Sequence, residues 1–308
     1  MAPSSAIPNL LVVLGPTASG KTALAVEAAK LLNGEIISAD SRQVYRGMDL
    51  GTGKDLQEYG HVPYHLIDIV DPGHEFNLFA FQHHFDSAFH QIRQRGCLPI
   101  LCGGSGLYLD AVLSGYVLTE APPDPALRAE LEQENLDVLR RRLLALQPQQ
   151  HNRTDLEDRE RLIRAIEIAR AQNSAPPPAP RPELVPLIFG IHWPRPQLRQ
   201  RIVKRLRQRL DQGMVAEVEQ LHTQGVSWTT LEFYGLEYRF IAQYLQQQLN
   251  YNDMVQKLAS AIQQFAKRQD TWFRRMERQG TCIHWLDGTQ QPLQQMMALI
   301  RQQPGVDG

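Results

Sequence analysis

The chain has 308 residues, enough to bury a real core in one large domain with an insertion. Hydrophobic residues make up 43% and charged residues 21%, an ordinary globular balance that argues against a disordered or fibrous chain. The net charge of −1 is split unevenly: residues 1–130 hold 8 Lys+Arg and 14 Asp+Glu, and the remainder holds 24 and 19, a positive excess suited to a polyanion partner.

Three cysteines, Cys97, Cys102 and Cys282, lack CxxC spacing. An odd, sparse set points to a reducing compartment and away from a disulfide frame or a zinc site. Met1 to Asn9 contains no basic stretch, and the apolar run after it is too short for a signal peptide or a membrane span. A cytoplasmic protein is expected.

The first apolar run, Leu10 to Leu14, reads as a strand. It leads into Gly15-Pro16-Thr17-Ala18-Ser19-Gly20-Lys21-Thr22, which fits G-x-x-x-x-G-K-[ST] without mismatch. Ala23 to Leu32 follows with apolar residues at helical spacing. This strand–loop–helix context is what a phosphate-binding loop needs. Backbone N–H groups and the helix N-terminus surround an anion, Lys21 reaches a terminal phosphate, and the Thr22 hydroxyl suits Mg²⁺. The loop says that a di- or triphosphate is held, not what is done with it.

Asn33-Gly34 reads as a helix end, and Glu35 to Ala39 as a second strand, which ends in Asp40-Ser41-Arg42-Gln43-Val44-Tyr45. A carboxylate at the carboxyl end of a strand, beside a phosphate loop, stands where α/β proteins place ligands. Asp40 is therefore a general base, a nucleobase-reading group, or a plain strand-end turn residue. His65 to Val70 predicts a strand, and Asp68 at its end is a weak candidate for holding a metal. Asn77 caps a predicted helix through Arg95, and Leu98 to Leu101 predicts another strand. Gly103-Gly104-Ser105-Gly106 turns into a helix over Leu107 to Leu113. Strands alternating with helices imply an α/β fold with a parallel sheet covered on both faces.

Beyond Tyr116 only helical signals remain as far as Gln172: Ala126 to Glu134 behind an Asp124-Pro125 start, Asp137 to Leu146, and Leu156 to Ala171. Pro176-Pro177-Pro178 predicts a stiff segment. Leu187 to Trp193 returns to strand character. The expected organisation is a P-loop core over 1–116 and 186–308 and an all-helical insertion over 117–185. Helices are then expected to the end. Gln197 to Gln212 carries Leu198, Ile202, Leu206 and Leu210 as a core stripe amid seven Arg and Lys residues. Asp253 caps a long predicted helix reaching Gln279, with Lys267, Arg268, Arg274, Arg275 and Arg278 along it. His83, His84 and His90 read as helix-surface residues, and Trp193 and Trp272 as core.

GPTASGKT, ISADSRQVYRGMDLGTGK, LPILCGGSGLYL, LEDRERLIRAIEI and FAKRQDTWFRR together resemble the tRNA dimethylallyltransferases, also called isopentenyltransferases. The resemblance spans almost the whole chain. Two places depart from the family's usual pattern, Leu236-Glu237 after Gly235, and Gln263. The resemblance implies a P-loop, Gly15 to Thr22, that grips the diphosphate of dimethylallyl diphosphate with Mg²⁺ on Thr22. It implies Asp40 as the base acting on the adenine amine and Arg205 as an arginine on the pyrophosphate. Asp40, Ser41, Arg42, Gln43 and Ser105 would meet the flipped base and its neighbours. Arg128, Glu160, Arg161, Leu162, Ile163 and Arg164 would meet the anticodon arm, and Lys267 and Arg268 would add tRNA contacts. As bare sequence, Arg161 and Arg164 read as solvated helix charges. The implied protein works as a monomer without a membrane. Prenylation of a free adenine nucleotide, an ATP-dependent kinase and a non-catalytic RNA-binding module are the competing readings.

Overall fold

Leu10–Leu14 forms strand β1, a fully buried run of five apolar residues. Such a run suits a parallel strand covered on both faces. A computed structural model describes residues 7–115, 118–147, 156–174 and 181–302, and all statements below concern these. Helix α1 is Lys21–Leu32, ended by Asn33 in a left-handed conformation. Then come β2 (Gly34–Ala39), a short 3-10 turn (Leu56–Glu58), β3 (Tyr64–His65), α2 (Leu78–Gln94), β4 (Leu98–Gly103) and α3 (Gly106–Leu113). Helices α4 (Pro125–Glu132), α5 (Leu136–Leu146) and α6 (Arg159–Ser174) precede β5 (Pro186–His192). The chain continues through α7 (Arg195–Asp211), α8 (Met214–Thr223), α9 (Trp228–Phe233), α10 (Leu236–Leu245) and α11 (Tyr251–Arg278). It closes with β6 (His284–Asp287) and α12 (Pro292–Ile300).

The six strands are all parallel, in the order β3-β2-β4-β1-β5-β6. Side chains of β1 alternate between the sheet's two faces. Leu10, Val12 and Leu14 pack with Phe81, Phe85 and Ile92 of α2, Leu109 of α3 and Phe273 of α11. Leu11 and Val13 pack with Leu24, Ala25 and Ala28 of α1 and with Met296 and Ile300 of α12. A third apolar cluster joins α7 to α11 with Val44, Tyr45 and Met48 from the loop after β2.

Two compact units result, Met1–Gly115 with Pro182–Gly308, and Tyr116–Arg181. The second is helical, and Leu127, Leu131, Leu139, Leu143, Leu162 and Ile166 form its core. Asp124 caps α4 with Pro125 as the first helical residue. Tyr116, Val117 and the Pro176-Pro177-Pro178 run lie outside the described residues.

Three expectations are corrected. The strand expected over His65 to Val70 stops at His65, because Leu66 and Asp68 adopt left-handed conformations with φ of 64° and 55°. A sixth strand, β6, pairs with β5 where only helix was expected. Its four residues alternate too briefly to stand out among polar neighbours. The cap of α11 is Asn250, whose side chain accepts from the Asp253 N–H, so Asp253 lies in the first turn.

Candidate active site

Strand β4 lies between β1 and β2, with Leu14 and Ala39 both in register with Gly103. The loops leaving the carboxyl ends of these three strands therefore meet. A Cβ at residue 103 would collide with the Ala39 carbonyl, so glycine is required there. Within the first loop, Ala18 and Gly20 take left-handed φ values of 61° and 89°, and the Ser19 N–H donates to Pro16 O at 3.2 Å. A curl of this kind at a helix start is the backbone form that suits an anion. Lys21 and Thr22 line two cavities, one of about 350 Å³ and one of about 410 Å³. Burial pushes the Lys21 ammonium below its ordinary pKa, and Arg205 pushes the same way.

The larger cavity takes Asp40, Ser41, Arg42, Gln43 and Ser105 into its wall together with Thr17, Lys21, Thr22 and Arg205. Asp40 Oδ1 accepts from the Arg42 N–H at 2.9 Å, which closes a turn at the end of β2. Ser105 Oγ accepts from the Ser41 N–H at 3.2 Å and ties this turn to the loop after β4. Gln43 is buried, donating to Gly53 O at 3.2 Å and accepting from Ser38 Oγ at 2.9 Å. Arg42 donates to Phe233 O at 3.0 Å and lies over the Phe233 ring, 5.1 Å from its centroid. The 40–43 segment is thus held from three sides by the fold.

Asp68 does not join this wall. It accepts at 2.5 Å from Lys54, whose fully buried ammonium also reaches Asp49 Oδ1 and Tyr45 O. A carboxylate committed to a buried cation is not available to a metal beside Thr22, so Asp68 does not take the expected metal role.

Several contributors are invisible to motif reading. Gln269, buried on α11, accepts from the Thr17 N–H at 2.8 Å and donates to Gly104 O at 2.8 Å. The spacing of Ile262, Ala266, Gln269, Phe273 and Met276 places this amide in the apolar stripe, which is the signal that could have found it. Trp193 is half-buried beside the phosphate loop; its indole N–H donates to Ser19 O at 2.9 Å. Arg201 stacks on that indole at 4.2 Å and donates to Ala18 O at 2.8 Å. Arg205 donates to Asp55 and, at 3.4 Å, to Gly53 O. Glu237 also lines the larger cavity, and burial raises its pKa. Burial pushes the Cys102 thiol behind the loop up to about 12, keeping it neutral.

Lys267 and Arg268 are exposed on α11, and Arg268 reaches the cavity wall. In the helical unit, Glu167 accepts from Arg128 at 2.8 and 3.0 Å and from Arg164 at 3.0 Å. Hydrogen bonds from both arginines keep the Glu167 carboxylate ionised against its burial. Glu160 and Arg161 are exposed, whereas the Leu162 and Ile163 side chains face the unit's core. His83, His84 and His90 lie exposed on α2.

Residues 43–276 match the family model described as IPP transferase, and residues 8–59 match isopentenyl transferase. A tRNA dimethylallyltransferase 1 of Geotalea uraniireducens is 62% identical, over 95% of this chain and 97% of that protein. A tRNA dimethylallyltransferase 2 of Shewanella sediminis is 56% identical, over 95% and 97%. Among solved structures, the full-length tRNA isopentenylpyrophosphate transferase of Bacillus halodurans aligns with a TM-score of 0.70 at 32% identity, over 96% of this chain and 95% of that one. A eukaryotic dimethylallyltransferase acting on tRNA shares the fold, with a TM-score of 0.75 at 23% identity, covering 94% of this chain and 78% of that one. With a phosphate-binding loop and a strand-end carboxylate on one cavity wall, and with these matches over nearly its full length, the chain belongs to the IPP transferase family, the tRNA dimethylallyltransferases.

Proposed function

We propose that the protein transfers a dimethylallyl group from dimethylallyl diphosphate to N6 of the adenine 3′ of the anticodon, in tRNAs reading U-initial codons, and releases pyrophosphate. One observation carries this reading: Lys21 and Thr22 of the phosphate loop and Asp40 of the β2 end share the wall of a single cavity. A donor whose diphosphate sits in the loop can then present its allylic carbon to an acceptor beside Asp40.

The adenine amine is a weak nucleophile, because its lone pair is delocalised into the ring. As the N6–C1 bond forms and the C1–O bond breaks, the amine gains positive character. The Asp40 carboxylate takes the proton and relieves it. The departing pyrophosphate gathers negative charge. Lys21, Arg205 and the loop N–H groups stabilise that charge more in the transition state than before it. Thr22, which lines both cavities, would hold Mg²⁺ through its hydroxyl, and the ion would neutralise further phosphate charge. An adenine stacked in an RNA loop must be extruded to enter the cavity. Arg42, Ser41 and Ser105 line the same cavity and are candidate contacts. Exposed Lys267 and Arg268 suit RNA phosphates.

Incubation with dimethylallyl diphosphate and unmodified tRNA tests the reading. Mass spectrometry should find one isopentenyl unit on the adenine 3′ of the anticodon, and ATP in place of the donor should give none. Modification of free adenine nucleotides but not of tRNA would refute it.

A further inference from the structure

Arg209 lies in the core-facing stripe of α7 and is only 8% exposed. Its Nε and Nη2 atoms are buried and make no hydrogen bond. Nη2 lies 3.5 Å from Asp55 Oδ2, an oxygen already taken by Arg205. A guanidinium removed from water with two donor atoms unused is costly unless an anion meets it. Burial accordingly lowers its pKa, and Arg205 adds to the effect.

Geometry shows where that anion would lie. Arg209 lines both cavities that flank the phosphate loop, and it shares each with Lys21 and Arg205. It also lines a small void with Thr17 and Ala18 of the loop and with Glu237. In the 350 Å³ cavity, Lys21, Arg201, Lys204, Arg205 and Arg209 face only Asp55 and Glu58. Five cations against two acids leave an excess of three positive charges, which matches a diphosphate monoester. The guanidinium lies against Gly53, whose φ is +65° and where a Cβ would collide with Nη2. The backbone is shaped to admit this side chain.

We propose that Arg209 is a second arginine of the donor site, its guanidinium turning to the diphosphate while Arg205 exchanges Asp55 for the same anion. Asp55 acts as the internal counter-ion of the donor-free protein. The inference rests on the diphosphate reading of the loop given above. It is distinct from the role of Arg205, whose Nη2 already donates to Asp55 and Gly53 O.

Calorimetric titration of the full-length protein with inorganic pyrophosphate and Mg²⁺ tests it, using the wild type and Lys21→Ala, Arg209→Met and Arg209→Lys. Arg209→Met should raise the Kd about tenfold or more, and Arg209→Lys, which keeps charge but loses the fork, should fall between. Without ligand, Arg209→Met should melt no lower than wild type, because a buried charge held only by a 3.5 Å contact to Asp55 is removed, while pyrophosphate should raise its melting temperature less. Wild-type Kd values in both Arg209 variants would overturn the proposal. Should Arg209→Met not fold, a wild-type Kd in Arg209→Lys together with an unaltered ligand-induced melting shift would overturn it. No pyrophosphate binding by wild type, or undiminished binding by Lys21→Ala, would instead remove the diphosphate reading itself.

Discussion

Thr17 donates its backbone N–H to Gln269 Oε1 across 2.8 Å, although 252 residues separate the two in the chain. Through this bond and its partner to Gly104 O, the long helix α11 braces the phosphate loop against the loop after β4. The same helix carries Lys267 and Arg268 on its surface two and one residues earlier. The α11 surface that carries Lys267 and Arg268 is thus joined directly to the loop over 15–22.

Gln269→Leu removes both bonds and leaves the Thr17 N–H and Gly104 carbonyl without partners. Stability should drop by about 1–3 kcal/mol, read by urea unfolding. Pyrophosphate binding should weaken as the loop loosens. Unfolding midpoints and Kd values equal to wild type would contradict a bracing role.

Asp40→Asn keeps an oxygen to accept the Arg42 N–H and so preserves the turn. It removes the proton acceptor. Transfer should slow by roughly 10²–10⁴-fold with pyrophosphate Kd close to wild type. Single-turnover rates retained within about threefold would exclude Asp40 as the base.

Exposed Lys267 and Arg268 should act on tRNA mainly through phosphate charge. Replacing both by Ala should weaken tRNA binding for all substrates alike. The slope of log affinity against log salt should become shallower by about one unit for each phosphate no longer neutralised. Filter binding across a salt series reads both quantities, and an unaltered slope would place the RNA elsewhere.

Glu35 is a buried carboxylate in β2 that accepts from Arg95 at 2.7 and 2.8 Å and pairs with His65 at 2.7 Å. The Arg95 hydrogen bonds, opposed by burial and aided by His65, hold its pKa down to about 2 from an ordinary 4.5. A depressed acid stabilises the fold above its unfolded pKa and loses that contribution as pH falls toward the folded value. The stability gap between wild type and Glu35→Gln should therefore be full above about pH 4.5 and shrink toward pH 2, amounting to about 2–3 kcal/mol at most. Denaturant unfolding at pH 6, 4 and 3 measures it, and a gap that widens on acidification would reverse the assignment.

Local pattern made much of the molecule readable. The phosphate loop, the strands β1, β2, β4 and β5, the caps at Asn77 and Asp124 and the carboxylate at the end of β2 follow from periodicity and turn chemistry, which act over a few residues. Short or interrupted elements were not readable this way: β6 has four residues, and two left-handed residues cut β3 short.

Tertiary structure alone decided the remainder of the site. Leu210 fits the α7 stripe by spacing, yet the chain buries Arg209 instead, because that turn faces the phosphate loop and Gly53 leaves room for a guanidinium. Gln269, Trp193, Asp55 and Glu237 come from four distant segments, and of these only Gln269 carries a local mark, its place in the apolar stripe of α11. Their grouping depends on strand order: placing β4 between β1 and β2 brings three loops to one edge, and α7, α10 and α11 then close over them. Preference for a strand or a helix is written into a sequence through neighbours a few positions away. Which distant polar groups must share a buried space is set only when the chain packs and each has to find a partner or a ligand.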